Sequence, residues 1–321
     1  MPRSSEVDSS PRLAAVDCGT NSIRLLISEV RDGAVVDVHR EMRIVRLGQG
    51  VDATGQFDPE AIARTRAALE DYAALMRQHD VTRVRMVATS ATRDAANREE
   101  FFAMTAEVLG AVVAGTVAEV VSGTEEAELS FLGAVDELDS AAAPFVVVDL
   151  GGGSTEVVFG QRNVESAFSA DIGCVRITER CLHSDPPTAD EVAEARAVIR
   201  ERLSEALAAV PVDKARTWVG VAGTFTTIAA LARRLTTYDP EAIHLSQVSF
   251  GDLLPVCDEL IGMTRKQRAA LGPMHEGRVD VIGGGAIVVQ ELARELGERA
   301  DITSLTVSEH DILDGIIGSI V

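Results

Sequence analysis

The feature that most constrains the fold of this 321-residue chain is a repeated pattern in which two apolar runs flank a polar turn. The first copy covers residues 13–30 around the turn DCGTNS, and the second covers residues 145–159 around DLGGGS. Apolar runs joined by a short glycine-containing turn predict a β-hairpin. Because the turn aspartates, Asp17 and Asp149, lie about one domain length apart, the repeat predicts a duplicated architecture.

Further strands and helices alternate along the rest of the chain. Apolar runs predict strands at residues 83–88, 117–121 and 217–221. Capping residues predict helix starts at Asp58, Asn97, Ser122, Thr188 and Ser308. This alternation indicates an α/β protein with two similar domains and a cleft between them. We expect a disordered tail (1–12), a first domain (13–136 plus 308–321) and a second domain (137–307).

Composition excludes several classes of function. Aspartate and glutamate number 50 against 30 lysines and arginines, which gives a formal net charge of −20. Proteins that coat nucleic acids or anionic membranes need a basic surface, so we expect neither partner. No run approaches the ~18 apolar residues of a membrane span, and the N-terminus lacks the apolar region of a secretory signal. The four cysteines form no C-x-x-C pair, which favours a reducing cytoplasm.

The glycine-rich turn of the second hairpin is the first candidate for binding phosphate. Glycines expose backbone N–H groups, and converging N–H groups bind anions. Asp149 and Glu156 flank the turn on the two strands and supply hard oxygen ligands suited to Mg²⁺. The alternative is a tight hairpin whose glycines only relieve strain. The candidate phosphate ligands here are Gly151, Gly152, Gly153, Ser154 and Thr155.

Three other segments offer anion ligands. Asn21 and Ser22 lie in the first hairpin turn, and the alternative is that this turn only connects two strands. Arg93 follows the carboxyl end of a strand, where open α/β sheets bind ligands, and its alternative role is a surface salt bridge. Gly223 and Thr224 begin a helix, where an anion site or a simple threonine cap is expected. A basic cluster at 264–278 forms either the entrance for a long polyanion or a solvated helix face.

The helix that begins after Ser122 carries adjacent glutamates with different expected roles. Glu125 lies three residues after the cap, so helix capping explains it. Glu126 projects about 100° around the helix from Glu125 and is not needed for the cap. Glu126 is therefore free to act as a general base in a polar cleft. The alternative is an ordinary first-turn glutamate favoured by the helix dipole.

Six segments in order along the chain carry a family resemblance: AAVDCGTNSIRLLI (14–27), RIVRLGQGV (43–51), ATSATRDAAN (88–97), SGTEEAELSF (122–131), VVDLGGGSTEVV (147–158) and VAGTFTTIAAL (221–231). Together they resemble the Ppx/GppA phosphatase family, and SADIGCVRITERCLHSDPP (169–187) resembles its short actinobacterial members. The resemblance implies an actin/sugar-kinase/heat-shock ATPase type of fold, which is ribonuclease H-like. It also implies that Glu126 is the catalytic base, that Asp149 and Glu156 bind Mg²⁺, and that the candidates above hold phosphates.

The resemblance implies an exopolyphosphatase that releases terminal orthophosphate from inorganic polyphosphate, acting as a homodimer. Hydrolysis of guanosine pentaphosphate (pppGpp) is the alternative. The sequence barely separates the two substrates, because no motif for recognising guanine is present to decide between them. A non-catalytic polyphosphate or alarmone sensor is a weaker alternative, because Glu126, Asp149 and Glu156 are all present. A sugar kinase is also weaker, because the cluster at Arg93 and the adjacent glutamates match the phosphatases. Long family members carry a further C-terminal helical region, and this sequence ends before it, so processivity and chain-length preference stay open.

Overall fold

The computed structural model describes residues 11–321, which contain two β-sheets flanked by helices. The strands of the first sheet are β1 (Arg12–Cys18), β2 (Ser22–Arg31), β3 (Ala34–Ile44), β4 (Arg83–Ala88) and β5 (Glu119–Val120). Their order is β3-β2-β1-β4-β5, in which β2 pairs antiparallel with both β1 and β3, and β4 runs parallel to β1. The predicted first hairpin is thus extended by a third strand that follows the turn at Asp32 and Gly33.

The second sheet repeats this topology. Its order β8-β7-β6-β9-β11-β10 again places an antiparallel three-stranded unit beside a parallel fourth strand. The repetition confirms the predicted duplicated α/β fold of the actin-like, ribonuclease H-like type. The strands are β6 (Phe145–Leu150), β7 (Thr155–Gly160), β8 (Val164–Ala170), β9 (Thr217–Val221), β10 (Ser246–Ser249) and β11 (Ser304–Val307).

Helices cover the sheets and connect their strands. In chain order they are α1 (Val51–Thr54), α2 (Pro59–Gln78), α3 (Ser90–Asp94), α4 (Arg98–Gly110), α5 (Gly123–Val135), α6 (Cys174–Cys181), α7 (Ala189–Ala209), α8 (Gly223–Ala232), α9 (Pro240–Ile243), α10 (Phe250–Gly262), α11 (Arg265–Ala269), α12 (Ile282–Ala300) and α13 (Ile312–Gly318). No helix of the described residues is long and apolar enough to cross a membrane.

Most predicted helix caps form, and two differ. Asp58, Ser122 and Thr188 each accept a hydrogen bond from the first turn of their helix. Asn97 precedes α4 but its side chain instead accepts from the N–H of Phe57 at 2.8 Å. The last helix begins three residues later than predicted, because Asp311 rather than Ser308 is its cap. Residues 1–10 of the expected tail lie outside the described part, and β1 already includes Arg12.

The last helix packs on the first sheet and against α5. Ile312 and Ile316 join a buried cluster with Leu13 and Leu26 of β1 and β2. A Cβ added to Gly315 would lie 2.1 Å from a carbonyl oxygen of α5, so glycine allows the two backbones to touch. Helix α13 therefore fixes the position of α5. The division into 13–136 plus 308–321 and 137–307 remains our proposal for the domains.

Candidate active site

The two hairpin turns meet in a cleft of about 100 Å³ between the sheets. Residues from the starts of α3, α5 and α8 complete its walls. Arg93, Thr155 and Glu156 are not part of this lining, and the Thr155 hydroxyl donates to the carbonyl of Ile172 at 2.7 Å. The predicted site residues that the cleft brings together are Asn21, Ser22, Glu126, Asp149, Gly151, Gly152, Gly153, Ser154, Gly223 and Thr224.

Glycines let the loop at residues 151–154, here called the glycine loop, approach the opposite wall closely. A Cβ added to Gly152 would lie 2.8 Å from the Cβ of Thr20, and one added to Gly153 would lie 2.6 Å from the Oγ of Ser90. Larger residues would force these walls apart. Within residues 11–321 the buried Thr20 hydroxyl has no hydrogen-bond partner, which makes it a ready partner for a ligand oxygen.

Helix α6 fixes the orientation of the glycine loop. The backbone N–H groups of residues 174–176 donate to the carbonyls of Gly151 and Gly152 at 2.9 to 3.1 Å. The N–H of Gly173 donates to the carbonyl of Gly153 at 3.1 Å. Because its carbonyls are bound by α6, the loop can present its tip amides to an anion in the cleft.

Glu126 lies in the first turn of α5 and is 8% exposed. Arg93 donates to its Oε2 at 2.7 Å and to the carbonyl of Val121 at 3.1 Å. Burial raises the pKa of Glu126, and the Arg93 ion pair opposes that rise. Glu125 faces elsewhere and pairs with Arg85 at 2.7 Å. A buried carboxylate with a raised pKa in a cleft is suited to accept a proton.

Asp149 and Glu156 lie opposite each other on β6 and β7. Burial raises the pKa of Asp149 to about 7, and burial and the nearby Glu126 raise the pKa of Glu156. Ser130 donates to Asp149, and Ser169 donates to Glu156 Oε1 at 2.7 Å. Glu156 Oε2 is buried and has no partner within residues 11–321. An orphaned oxygen beside two further carboxylates fits a site for a hard divalent cation.

The first hairpin carries a different pair at the corresponding positions. Asp17 and Arg24 are cross-strand neighbours, as Asp149 and Glu156 are in the second hairpin. Arg24 Nη2 lies 2.7 Å from Asp17 Oδ2, and Nη1 binds Asp311 before α13. The first hairpin thus carries an ion pair at these positions, and the second hairpin carries two carboxylates.

The third predicted phosphate segment begins α8, where Thr224 lines the cleft. Arg278 lies over the adjacent glycine, because a Cβ added to Gly223 would fall 2.2 Å from an Arg278 nitrogen. Arg278 Nη1 donates to Thr227 Oγ1 at 3.1 Å. A helix N-terminus beside a guanidinium is favourable for a phosphate group.

Comparison with known proteins decides the family. A model of the Ppx/GppA phosphatase family matches residues 26–320. The chain belongs to the Ppx/GppA phosphatase family. The resemblance stated from the sequence is therefore confirmed, and membership in this family makes the chain a phosphatase.

Individual Ppx/GppA relatives match over nearly the whole chain. Exopolyphosphatase 2 of Mycobacterium tuberculosis is 70% identical over 309 residues, which cover 95% of this chain and 97% of that protein. A solved exopolyphosphatase-like protein is 43% identical with a TM-score of 0.90, covering 96% of this chain and 98% of its own. The Aquifex aeolicus PPX-GPPA enzyme is 32% identical with a TM-score of 0.77, covering 96% and 99%.

Several residues of this Ppx/GppA cleft were not among the sequence candidates. Asp17 and Thr20 line it, and the repeat could have identified Asp17, because Asp17 corresponds to Asp149. Arg278 also lines it, although the sequence placed it only in a basic cluster. That cluster is not one surface, because Arg268 is 3% exposed and donates to the carbonyls of Leu260 and Val279.

Proposed function

We propose that this chain is a Mg²⁺-dependent exopolyphosphatase that releases terminal orthophosphate from inorganic polyphosphate. The observation that carries the proposal is the placement of the buried Glu126 in the cleft together with the glycine loop and Asp149. The 70% identity to a protein named exopolyphosphatase 2 supports the same substrate.

The reaction needs a terminal phosphate held near Glu126. We propose that the amides of the glycine loop, Asn21, Ser22 and Thr224 bind phosphate oxygens. Water then attacks the terminal phosphorus while Glu126 takes a proton from that water. The new bond joins the water oxygen to phosphorus, and the bond from phosphorus to the bridging oxygen breaks. Orthophosphate and a chain one unit shorter leave, and the proton returns to solvent.

The cation site follows from the carboxylates. Asp149 and Glu156 would hold Mg²⁺, since both are buried and Glu156 Oε2 has no partner in the described chain. When bound, Mg²⁺ neutralises charge on phosphate oxygens. We propose that Arg93 lowers the pKa of Glu126 through its ion pair, so that phosphate binding is not its sole role.

One observation favours pppGpp as a second candidate substrate. A larger cavity of about 500 Å³, here called the apolar cavity, opens from the cleft at Gly223 and Arg278. Tyr238 and Met274 are among its walls. An aromatic and apolar cavity beside phosphate ligands suits a nucleoside.

The test compares both substrates with one protein preparation. We expect Mg²⁺-dependent phosphate release from polyphosphate at a higher kcat/KM than from pppGpp. Phosphate release from pppGpp but not from polyphosphate would reverse the substrate assignment. The expected homodimer is checked in the same preparation by light scattering.

A further inference from the structure

A second opening of the cleft has a different character from the apolar cavity. A groove of about 310 Å³ shares Thr20, Asn21 and Val281 with the cleft. Its other walls come from the segment after β3, from α6 and the residues that follow it, from α11 and from the segment before α12. We call it the polar groove, and its charged or titratable members are Arg46, Glu179, His183, Arg265 and Asp280.

Arg46 ties this groove to the phosphate-binding turn. The N–H groups of Val45 and Arg46 both donate to the carbonyl of Asn21, at 3.0 and 2.8 Å. Arg46 has a φ of 52°, a left-handed conformation that non-glycine residues rarely adopt. Asp280 binds its guanidinium through two hydrogen bonds of 2.7 and 3.1 Å. Such strained residues concentrate at functional sites, and this one is held where the cleft meets the groove.

Arg265 supplies a cation that protein carboxylates do not neutralise. It forms no ion pair within residues 11–321, and its side chain lines the groove. Its backbone is fixed, because its N–H donates to Asp185 at 2.8 Å and Thr264 caps the helix in a capping box. Among the described residues, the groove therefore offers a guanidinium without an ion-pair partner on a path that leads from the cleft.

The remaining charges leave this path favourable to an anion. Asp280 is already paired with Arg46, and Glu179 already accepts a hydrogen bond from the N–H of Gly50 at 3.4 Å. The imidazole of His183 adds a hydrogen-bonding group to the groove. The apolar cavity is less suitable, because Arg24 and Arg40 in its walls are already paired with aspartates. Its walls also include the carboxylates of Glu41, Glu309 and Asp311, which repel a polyanion.

We propose that the polyphosphate chain beyond its terminal units lies in the polar groove, where Arg265 is a determinant of polymer length preference. This inference rests on the proposed function and adds the path of the polymer. Because Arg265 lines the groove and not the cleft, we expect a short substrate such as tripolyphosphate, bound in the cleft, to be insensitive to Arg265.

The test is Arg265→Glu, with Lys266→Glu as the matched control. Both residues are exposed on α11, and both substitutions replace a positive charge with a negative one. Only Arg265 lines the groove. We expect Arg265→Glu to raise KM for long-chain polyphosphate about tenfold at moderate salt, while kcat and KM for tripolyphosphate stay at wild-type values. Lys266→Glu should change neither. An equal effect of the two variants, or an equal effect of Arg265→Glu on both substrates, overturns the proposal.

Failure of the proposed function gives a different result. In that case wild-type protein releases no phosphate from either polymer. Equilibrium binding of long-chain polyphosphate to the intact protein then tests the groove. Weaker binding by Arg265→Glu than by Lys266→Glu supports the path, and equal binding contradicts it.

Discussion

Arg93 Nη1 lies 2.7 Å from Glu126 Oε2, so the arginine expected to clamp phosphate is an ion-pair partner of the expected base. The two residues come from α3 and α5, which meet beside the cleft. Burial raises the pKa of Glu126, and Arg93 holds it lower than burial alone would. The pair thus links the protonation state of the base to one positive charge.

Replacing Arg93 should shift the pH dependence of the enzyme. Without the ion pair the pKa of Glu126 rises, and Glu126 accepts a proton only when ionised. We expect Arg93→Gln to move the acid limb of kcat/KM to higher pH by about one to two units. Arg85→Gln is the control, since Arg85 pairs with the neighbouring Glu125. An unchanged acid limb with a raised KM would mean that Arg93 serves only as a phosphate ligand.

The contact between Gly173 and the glycine loop should be intolerant of a side chain. A Cβ on Gly173 would lie 2.2 Å from the backbone of Gly152. We expect Gly173→Ala to displace the loop and to lower kcat/KM about 100-fold, because displacements near 1 Å cost that much in positioned sites. Gly110→Ala in α4 meets nothing within 4 Å and should leave the activity intact. Wild-type kinetics for Gly173→Ala would show that the loop needs no such support.

The buried Asp149 should destabilise the metal-free protein as the pH rises. Its pKa is raised to about 7 from 3.8, so the folded state binds more protons than the unfolded state between these values. The free energy of unfolding from this group is therefore highest below about pH 4 and is lost as the pH rises through about 7. The Asp149→Asn variant has no carboxyl group to ionise at this position, so it does not lose this part of the free energy of unfolding as the pH rises.

Thermal unfolding in EDTA checks this prediction. We expect Asp149→Asn to melt at a higher temperature than wild type at pH 8, with the difference shrinking towards pH 4. Added Mg²⁺ should raise the wild-type Tm more at pH 8 than at pH 5. The exposed Asp213→Asn serves as control. A variant less stable than wild type at pH 8 would contradict the assigned direction of the pKa shift.

The fold was largely predictable because its strongest signals are local. Two glycine turns between apolar runs specify both hairpins, and Thr188 with Glu191 specifies the start of α7. Strands β3 and β8 were not predicted, since both are mostly only partly buried and lack a clear apolar pattern. Strands β10 and β11 were not predicted either, because each has only four residues. The cap at Asp311 was missed because Ser308 offers an equally good capping sequence three residues earlier.

Most residues named from the sequence line the cleft, but their pairings were not predicted. Glu126 and Asp149 were named because they lie at a helix start and in a hairpin, and their roles stay predictions. Sequence spacing could not show that Arg93 binds Glu126 or that Arg278 covers Gly223, because these contacts join segments far apart in the chain. Such pairings depend on how the two sheets face each other.

We claim that Glu126 accepts the proton of the attacking water, and substitutions at Glu126 and at its neighbour Glu125 test this role. Phosphate release from tripolyphosphate is measured with Mg²⁺ for Glu126→Gln and Glu125→Gln. We predict that Glu126→Gln lowers kcat by about 10² to 10⁴-fold with little change in KM, while Glu125→Gln stays near wild type. A Glu126→Gln protein that hydrolyses at the wild-type rate would contradict the claim.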